Sequence, residues 1–113
     1  MFYLEFYETD DGKKPVEEFL VGLENRIRTK AIHELILLRE KGNKLRKPYS
    51  TAMGDGIFEL RIRQGSDVAR IFYFFFVGSK IVLTNGFMKK TQKTPPEELE
   101  RAKRYKADYE RRR

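Results

Sequence analysis

The chain has 113 residues, no cysteine, one histidine and a formal net charge of +7. That length suits one domain, residues 1–113, with its own core, and the absent thiols with a lone His33 leave neither a disulfide framework nor the ligands of a metal centre, so no cofactor is expected. The charge is uneven: residues 1–38 carry 5 Lys/Arg against 8 Asp/Glu and residues 39–113 carry 19 against 9, an asymmetry that predicts a basic face suited to polyanions such as nucleic acid.

The opening MFYLEFYETDDGKK has no basic leader, and no apolar run approaches the roughly 20 residues of a membrane span. A soluble cytoplasmic protein without a membrane partner is expected. Phe2, Leu4 and Phe6 alternate with Tyr3, Glu5 and Tyr7, the period of a strand with one buried face. After the turn Asp10-Asp11-Gly12, Pro15 suits the first helical position, and Val16, Phe19, Leu20 and Leu23 follow at helical spacing, with Gly22 weakening or ending the helix. A longer helix fits Glu24 to Lys41, its stripe formed by Ile27, Ala31, Leu35 and Leu38 and its left-handed stop by Gly42. His33 on that helix reads as a surface or packing residue. Residues 43–56 are polar, basic and turn-rich, and read as a surface loop.

Three strands follow, Ile57–Arg63, Val68–Val77 and Ile81–Met88, the middle one apolar almost throughout, as expected of a central strand. Turns are expected at 64–67 and at Gly78-Ser79. Beyond Pro95-Pro96 a last helix, Glu97 to about Glu110, places Leu99, Ala102, Tyr105 and Tyr109 on one stripe. Thr94 stands three residues before Glu97, the spacing of a capping box. The terminal Arg111-Arg112-Arg113 reads as a frayed end. The order β-α-α-β-β-β-α predicts an α+β fold, an antiparallel sheet with two N-terminal helices and one C-terminal helix.

Hairpin arithmetic sharpens the basic signal. Closing the first turn on Gly65-Ser66, or on Gln64 to Asp67, sets Arg61 opposite Arg70. Closing the second on Gly78-Ser79 sets Arg70 opposite Phe87, with Lys89 on the same face. Like charges directly across a strand pair destabilise it, and nearby carboxylates such as Glu59 and Asp67 are too few to neutralise the group. An external anion is therefore expected between them. Arginine grips a phosphate with two parallel donors, and Phe72 and Phe87 would offer rings to stack on bases.

The stretches Gly54-Asp55-Gly56-Ile57-Phe58-Glu59-Leu60-Arg61, Ala69-Arg70-Ile71-Phe72-Tyr73-Phe74 and Gly86-Phe87-Met88-Lys89-Lys90-Thr91-Gln92-Lys93-Thr94-Pro95 resemble, in this order and spacing, the RelE superfamily of bacterial toxins, and within it the HigB-like, phage-derived branch. The resemblance covers nearly the whole chain and implies a RelE-like fold. It implies a toxin of a type II toxin–antitoxin system: an mRNA interferase, a small endoribonuclease cutting messages in the ribosomal decoding site, with a helix-turn-helix (HigA-like) antitoxin as partner. Carried over by position, Arg61 and Arg70 match phosphate-handling arginines, and Lys89 and Lys90 match a basic pair after the last strand. Lys93 extends that cluster, and Arg63 joins it as an RNA contact. Lys44, Arg46 and Lys47 would meet ribosomal RNA through phosphates. Asn85 stands where the branch often has a histidine, and an amide cannot transfer protons near neutral pH.

Without a metal cluster, the implied chemistry is attack of the ribose 2′-hydroxyl on the adjacent phosphate. Arg61 and Arg70 suit stabilisation of the phosphorane. Lys89, Lys90 and Glu59 are the candidates for proton transfer, because cationic neighbours favour the neutral form of a lysine. A non-catalytic RNA- or ribosome-binding module, or a degenerate toxin kept only for an antitoxin repressor complex, would carry the same basic face.

Overall fold

The computed structural model describes residues 1–113. The chain runs β1 (Tyr3–Phe6), α1 (Pro15–Val21), α2 (Asn25–Lys41), a 3₁₀ turn (Gly42–Lys44), β2 (Ser50–Gly54), β3 (Ile57–Gln64), β4 (Asp67–Phe76), β5 (Lys80–Met88) and α3 (Pro96–Arg111). The fold is α+β. No helix is long and apolar enough to cross a membrane.

The five strands lie in the order β1-β5-β4-β3-β2, with β4 central. Its uninterrupted apolar run is explained by cover on both faces. One face packs on α1 and α2 through a cluster of 14 buried residues, among them Leu35, Leu38, Leu60, Ile62, Ile71 and Leu83. The other packs on α3 through two smaller clusters, around Phe74 and Tyr109 and around Phe72 and Ala102. Each fully buried large apolar side chain contributes about 1.5–3 kcal/mol, so the α1/α2 face carries most of the stability. The α3 face is the one that can be left partly open.

Two features of the sheet depart from the sequence reading. The expected loop 43–56 contains β2, which pairs antiparallel with β3 (Ser50 with Leu60, Ala52 with Phe58). Ser-Thr-Ala-Met-Gly has no clear alternation of its own and is made a strand by its partner. The sheet is also mixed rather than purely antiparallel, because β1 lies parallel to β5, Leu4 beside Ile81 and Phe6 beside Leu83. The two helices between β1 and the rest form the crossover that a parallel pair needs.

Two glycines permit close approach. Gly42 has φ of 53°, and a Cβ there would enter the Phe2 ring. A Cβ on Gly86 would come within 2.5 Å of the Phe19 ring, the contact that seats α1 on β5.

The C-terminal arginines are not frayed. Arg112 donates to the Glu8 carbonyl at 2.7 Å and to Asp108 at 2.6 Å, and Arg113 reaches Glu5 at 3.1 Å and lies over the Tyr109 ring. Tyr109 donates to Glu5 at 2.8 Å, and Tyr7 donates to Asp108 at 2.6 Å. This end of the α3 face is sewn shut.

Candidate functional site

The opposite end of that face is open, and the register explains what it exposes. In β3 and β4, Arg61 pairs with Arg70 and Arg63 with Val68, as the hairpin arithmetic required. The β4–β5 turn is one residue longer than expected, so Phe76 pairs with Lys80 and Phe74 with Val82. A bulge then inserts an extra residue on β5 between the pairs Tyr73–Leu83 and Ile71–Gly86, which returns Arg70 to Phe87. The longer turn and the bulge offset each other. Bulges commonly re-aim side chains at the rim of a site, and here one carries Phe87 and Lys89 onto the arginine face. Thr84 Oγ1 fills the interruption by donating to the Phe72 carbonyl at 3.3 Å.

The result is a strongly polar cavity of about 430 Å³ at the end of β3, β4 and β5, lined by Arg61, Arg63, Arg70, Lys89 and Lys90. Thr91 and Gln92 add polar groups, and Val68 is the one apolar lining residue. All four predicted catalytic positions are thus brought together. No carboxylate lies within 4.0 Å of the charged groups of Arg61, Arg63, Lys89 or Lys90.

Arg70 is the exception. It is 3% exposed, and its Nε lies 3.2 Å from Glu59 Oε1, too poorly aligned to count as a hydrogen bond. Its Nη1 donates to the Ala69 carbonyl at 3.1 Å. Burial pushes the guanidinium below arginine's usual range, the Glu59 charge opposes that, and Arg61 and Arg63 add to it. Arg70 is therefore a buried cation with one acidic neighbour and a surplus of donor capacity at the cavity floor.

Glu59 takes a different part from the proton-transfer candidate it was at the level of sequence. It is 4% exposed and does not line the cavity; its second oxygen accepts from Thr94 Oγ1 at 2.8 Å. One carboxylate thereby ties β3 to Arg70 on β4 and to the loop before α3. The same bond displaces the expected capping box: Pro95 is the cap residue, and no side chain closes the helix start. Asn85 is likewise structural, its Nδ2 donating to the Glu98 carbonyl at 3.1 Å and to Glu98 Oε1 at 3.2 Å.

The predicted stacking rings are not available. Phe72 is 0% exposed and Phe87 7%, their centroids 5.6 Å apart in the cluster under Ala102 of α3. Strand alternation placed them on the right face but could not reveal that α3 lies over them. Lys93 is exposed on the same loop but outside the cavity lining, its carbonyl accepting from Thr91 Oγ1 at 2.8 Å. Lys44, Arg46 and Lys47 sit apart on the loop after α2, exposed, with Arg46 turned back to the Asn43 carbonyl at 2.6 Å. His33 is exposed on α2, away from the cavity.

Residues 18–107 match the family model described as phage derived protein Gp49-like (DUF891). The matched span takes in the whole arginine row, both cavity lysines and most of α3. A comparison with curated proteins finds no match.

Proposed function

We propose that this chain, which belongs to the phage-derived Gp49-like family of RelE-type, toxin-like proteins, is a toxin of the HigB-like branch in a type II toxin–antitoxin pair. Its activity is endoribonucleolytic cleavage of mRNA on the ribosome without a metal ion. The observation that carries this reading is the cavity itself: five cations from two strands and the loop after β5, four of them without a carboxylate partner. Such crowding costs free energy unless an anion occupies the space, and a phosphodiester fits the charge, the polarity and the forked donors of arginine.

The chemistry follows from what these groups can do. The 2′-hydroxyl attacks the adjacent phosphorus, the bond to the 5′-oxygen breaks, and a 2′,3′-cyclic phosphate and a free 5′-hydroxyl result. Arg61 and Arg70 meet the charge developing on the non-bridging oxygens, and donors fixed in advance by Glu59 and the strand register need little reorganisation. One proton leaves the 2′-hydroxyl and one reaches the 5′-oxygen; on this reading their transfer falls to Lys89 and Lys90, which line the cavity. The loop cations Lys44, Arg46 and Lys47 and the exposed Lys93 would hold ribosomal RNA phosphates, and a helix-turn-helix (HigA-like) antitoxin would cover the basic face when the toxin is silent.

One observation favours a second reading. The cavity contains no histidine, and the carboxylate beneath it is already tied to Thr94 and Arg70, the arrangement a non-catalytic RNA- or ribosome-binding module would have. Purified protein incubated with programmed ribosomes, with and without a chelator, separates the two. New message ends confined to ribosome-bound RNA, bearing 2′,3′-cyclic phosphate and indifferent to chelator, are expected. Ribosome binding without any new ends would overturn the enzymatic reading in favour of the binding module.

A further inference from the structure

The arginine row borders a second cavity. It measures about 340 Å³, lies between α2, the turn before β2 and β3, and shares Arg61, Arg63 and Arg70 with the first. That volume falls in the range of small-ligand pockets. Two of its lining residues, Tyr49 and Glu34, set its chemistry.

Tyr49 is 41% exposed, although its backbone is held at both polar groups. The Arg61 N–H donates to the Tyr49 carbonyl at 2.8 Å, and the Tyr49 N–H donates to the Arg46 carbonyl at 2.9 Å. With Phe72 and Phe87 buried, Tyr49 is the aromatic beside the arginines with a face left for a ligand. Rings in such places stack on nucleobases, and every base can use them.

Glu34 lines the same cavity from α2, yet it is 5% exposed. Its ionic partner is Lys30, one helical turn earlier at 3.4 Å, which lines the cavity too. An i,i+4 pair on a helix surface contributes little, which does not account for a carboxylate kept out of water in a cavity that three arginines also line. A carboxylate is an acceptor with no donor, so it selects a partner presenting donors side by side. Among the four bases, guanine alone offers two adjacent donors, N1–H and the 2-amino group, on its Watson–Crick edge. Adenine and cytosine set a ring lone pair beside their amino group, and uracil flanks its one N–H with carbonyls.

We propose that this second cavity is a nucleobase subsite, in which Tyr49 stacks on the base and Glu34 reads its edge, giving a preference for guanine next to the phosphate held by Arg61, Arg63 and Arg70. The inference rests on the first cavity being a phosphate site. It assigns the stacking role to Tyr49 in place of Phe72 and Phe87, and makes Glu34 a specificity-determining residue.

Calorimetric titration of the full chain with inorganic phosphate and with each of the four nucleoside 5′-monophosphates tests it. GMP is expected to bind tightest, about tenfold above AMP, in line with the discrimination a matched pair of hydrogen bonds gives. Tyr49→Ala should lower GMP affinity about tenfold or more, toward that of inorganic phosphate, whereas Tyr49→Phe should keep it. Glu34→Gln should bring GMP and AMP within about threefold of each other and leave phosphate binding intact, with thermal melts reporting that each variant folds. If phosphate binds and the four nucleotides bind no better, or if Tyr49→Ala changes nothing, the subsite is overturned while the phosphate site stands. A guanine preference that survives Glu34→Gln overturns the part given to Glu34. If neither phosphate nor any nucleotide binds the wild-type chain, the reading of the first cavity fails as well.

Discussion

The two ends of the α3-covered face use the same kinds of residue to opposite ends. At the end near β1, Arg112 and Arg113 are met by Asp10, Asp108 and Glu5, and Lys80 reaches Glu5 at 3.3 Å. At the other end Arg61, Arg63, Lys89 and Lys90 line a cavity with no carboxylate to match them. Cation content alone would not distinguish these regions. What separates the two sets of cations is whether the fold supplies their counter-charge, and the open end withholds it.

The sharpest way to break that comparison is to remove a cation from each end. Arg61→Ala should lower message cleavage by about 10²-fold or more, the usual loss for one donor aimed at transition-state charge, with little change in melting temperature. An equal loss from Arg113→Ala would erase the distinction between the ends. Next in size is the tie beneath the open end. Glu59→Gln leaves the buried Arg70 without its acidic neighbour and should cost about 3 kcal/mol in urea unfolding, as breaking a buried ion pair does. A cost within the range of surface substitutions would mean that Glu59 does not anchor the site.

Salt sharpens the comparison further. If all five cavity cations neutralise single-stranded RNA, log K against log salt should fall with a slope of about −3.5, and Arg63→Ala should reduce its magnitude by about 0.7. Arg112→Ala should leave that slope alone.

Part of this contrast was legible in the sequence and part was not. The Arg61–Arg70 pairing follows from turn positions and a period of two, which are local properties of a hairpin. So does the choice of β4 as the central strand, from its unbroken apolar run. The strand β2 was not legible, because Ser50–Gly54 becomes a strand only by lying against β3. Nor was the parallel seat of β1 beside β5, which depends on the path of two helices. Phe72 and Phe87 were assigned to the correct face but to the wrong environment, since burial there comes from α3, over ten residues further on. Tyr49 was passed over because it stands in a polar, turn-rich stretch with no pattern to single it out.

The closed end makes a smaller prediction, in pH. Burial first, and then Asp108, push the Tyr7 hydroxyl up to about 12, from an ordinary value of 10.0. The folded chain therefore holds this proton more tightly than the unfolded one, so the stabilisation is whole below pH 10 and is lost as pH rises from about 10 to about 12. Tyr7→Phe should cost about 1 kcal/mol near neutrality, and the stability gap between it and wild type should narrow over that window. A gap constant with pH would contradict the Tyr7–Asp108 bond. Smallest of all, replacing Lys44 and Lys47 with alanine should change the affinity for a short free RNA by less than about twofold, because exposed cations outside the cavity add only weak, screened attraction.

The most direct measurement follows the guanidinium groups themselves. Nε–Hε resonances of the arginines, recorded by NMR while a non-cleavable 2′-O-methyl dinucleotide is added, report which cations meet the phosphate. Large saturable shifts at Arg61, Arg63 and Arg70, with Arg112 and Arg113 unmoved, are the predicted result. Shifts confined to the C-terminal arginines, or none at the three strand arginines, would contradict it.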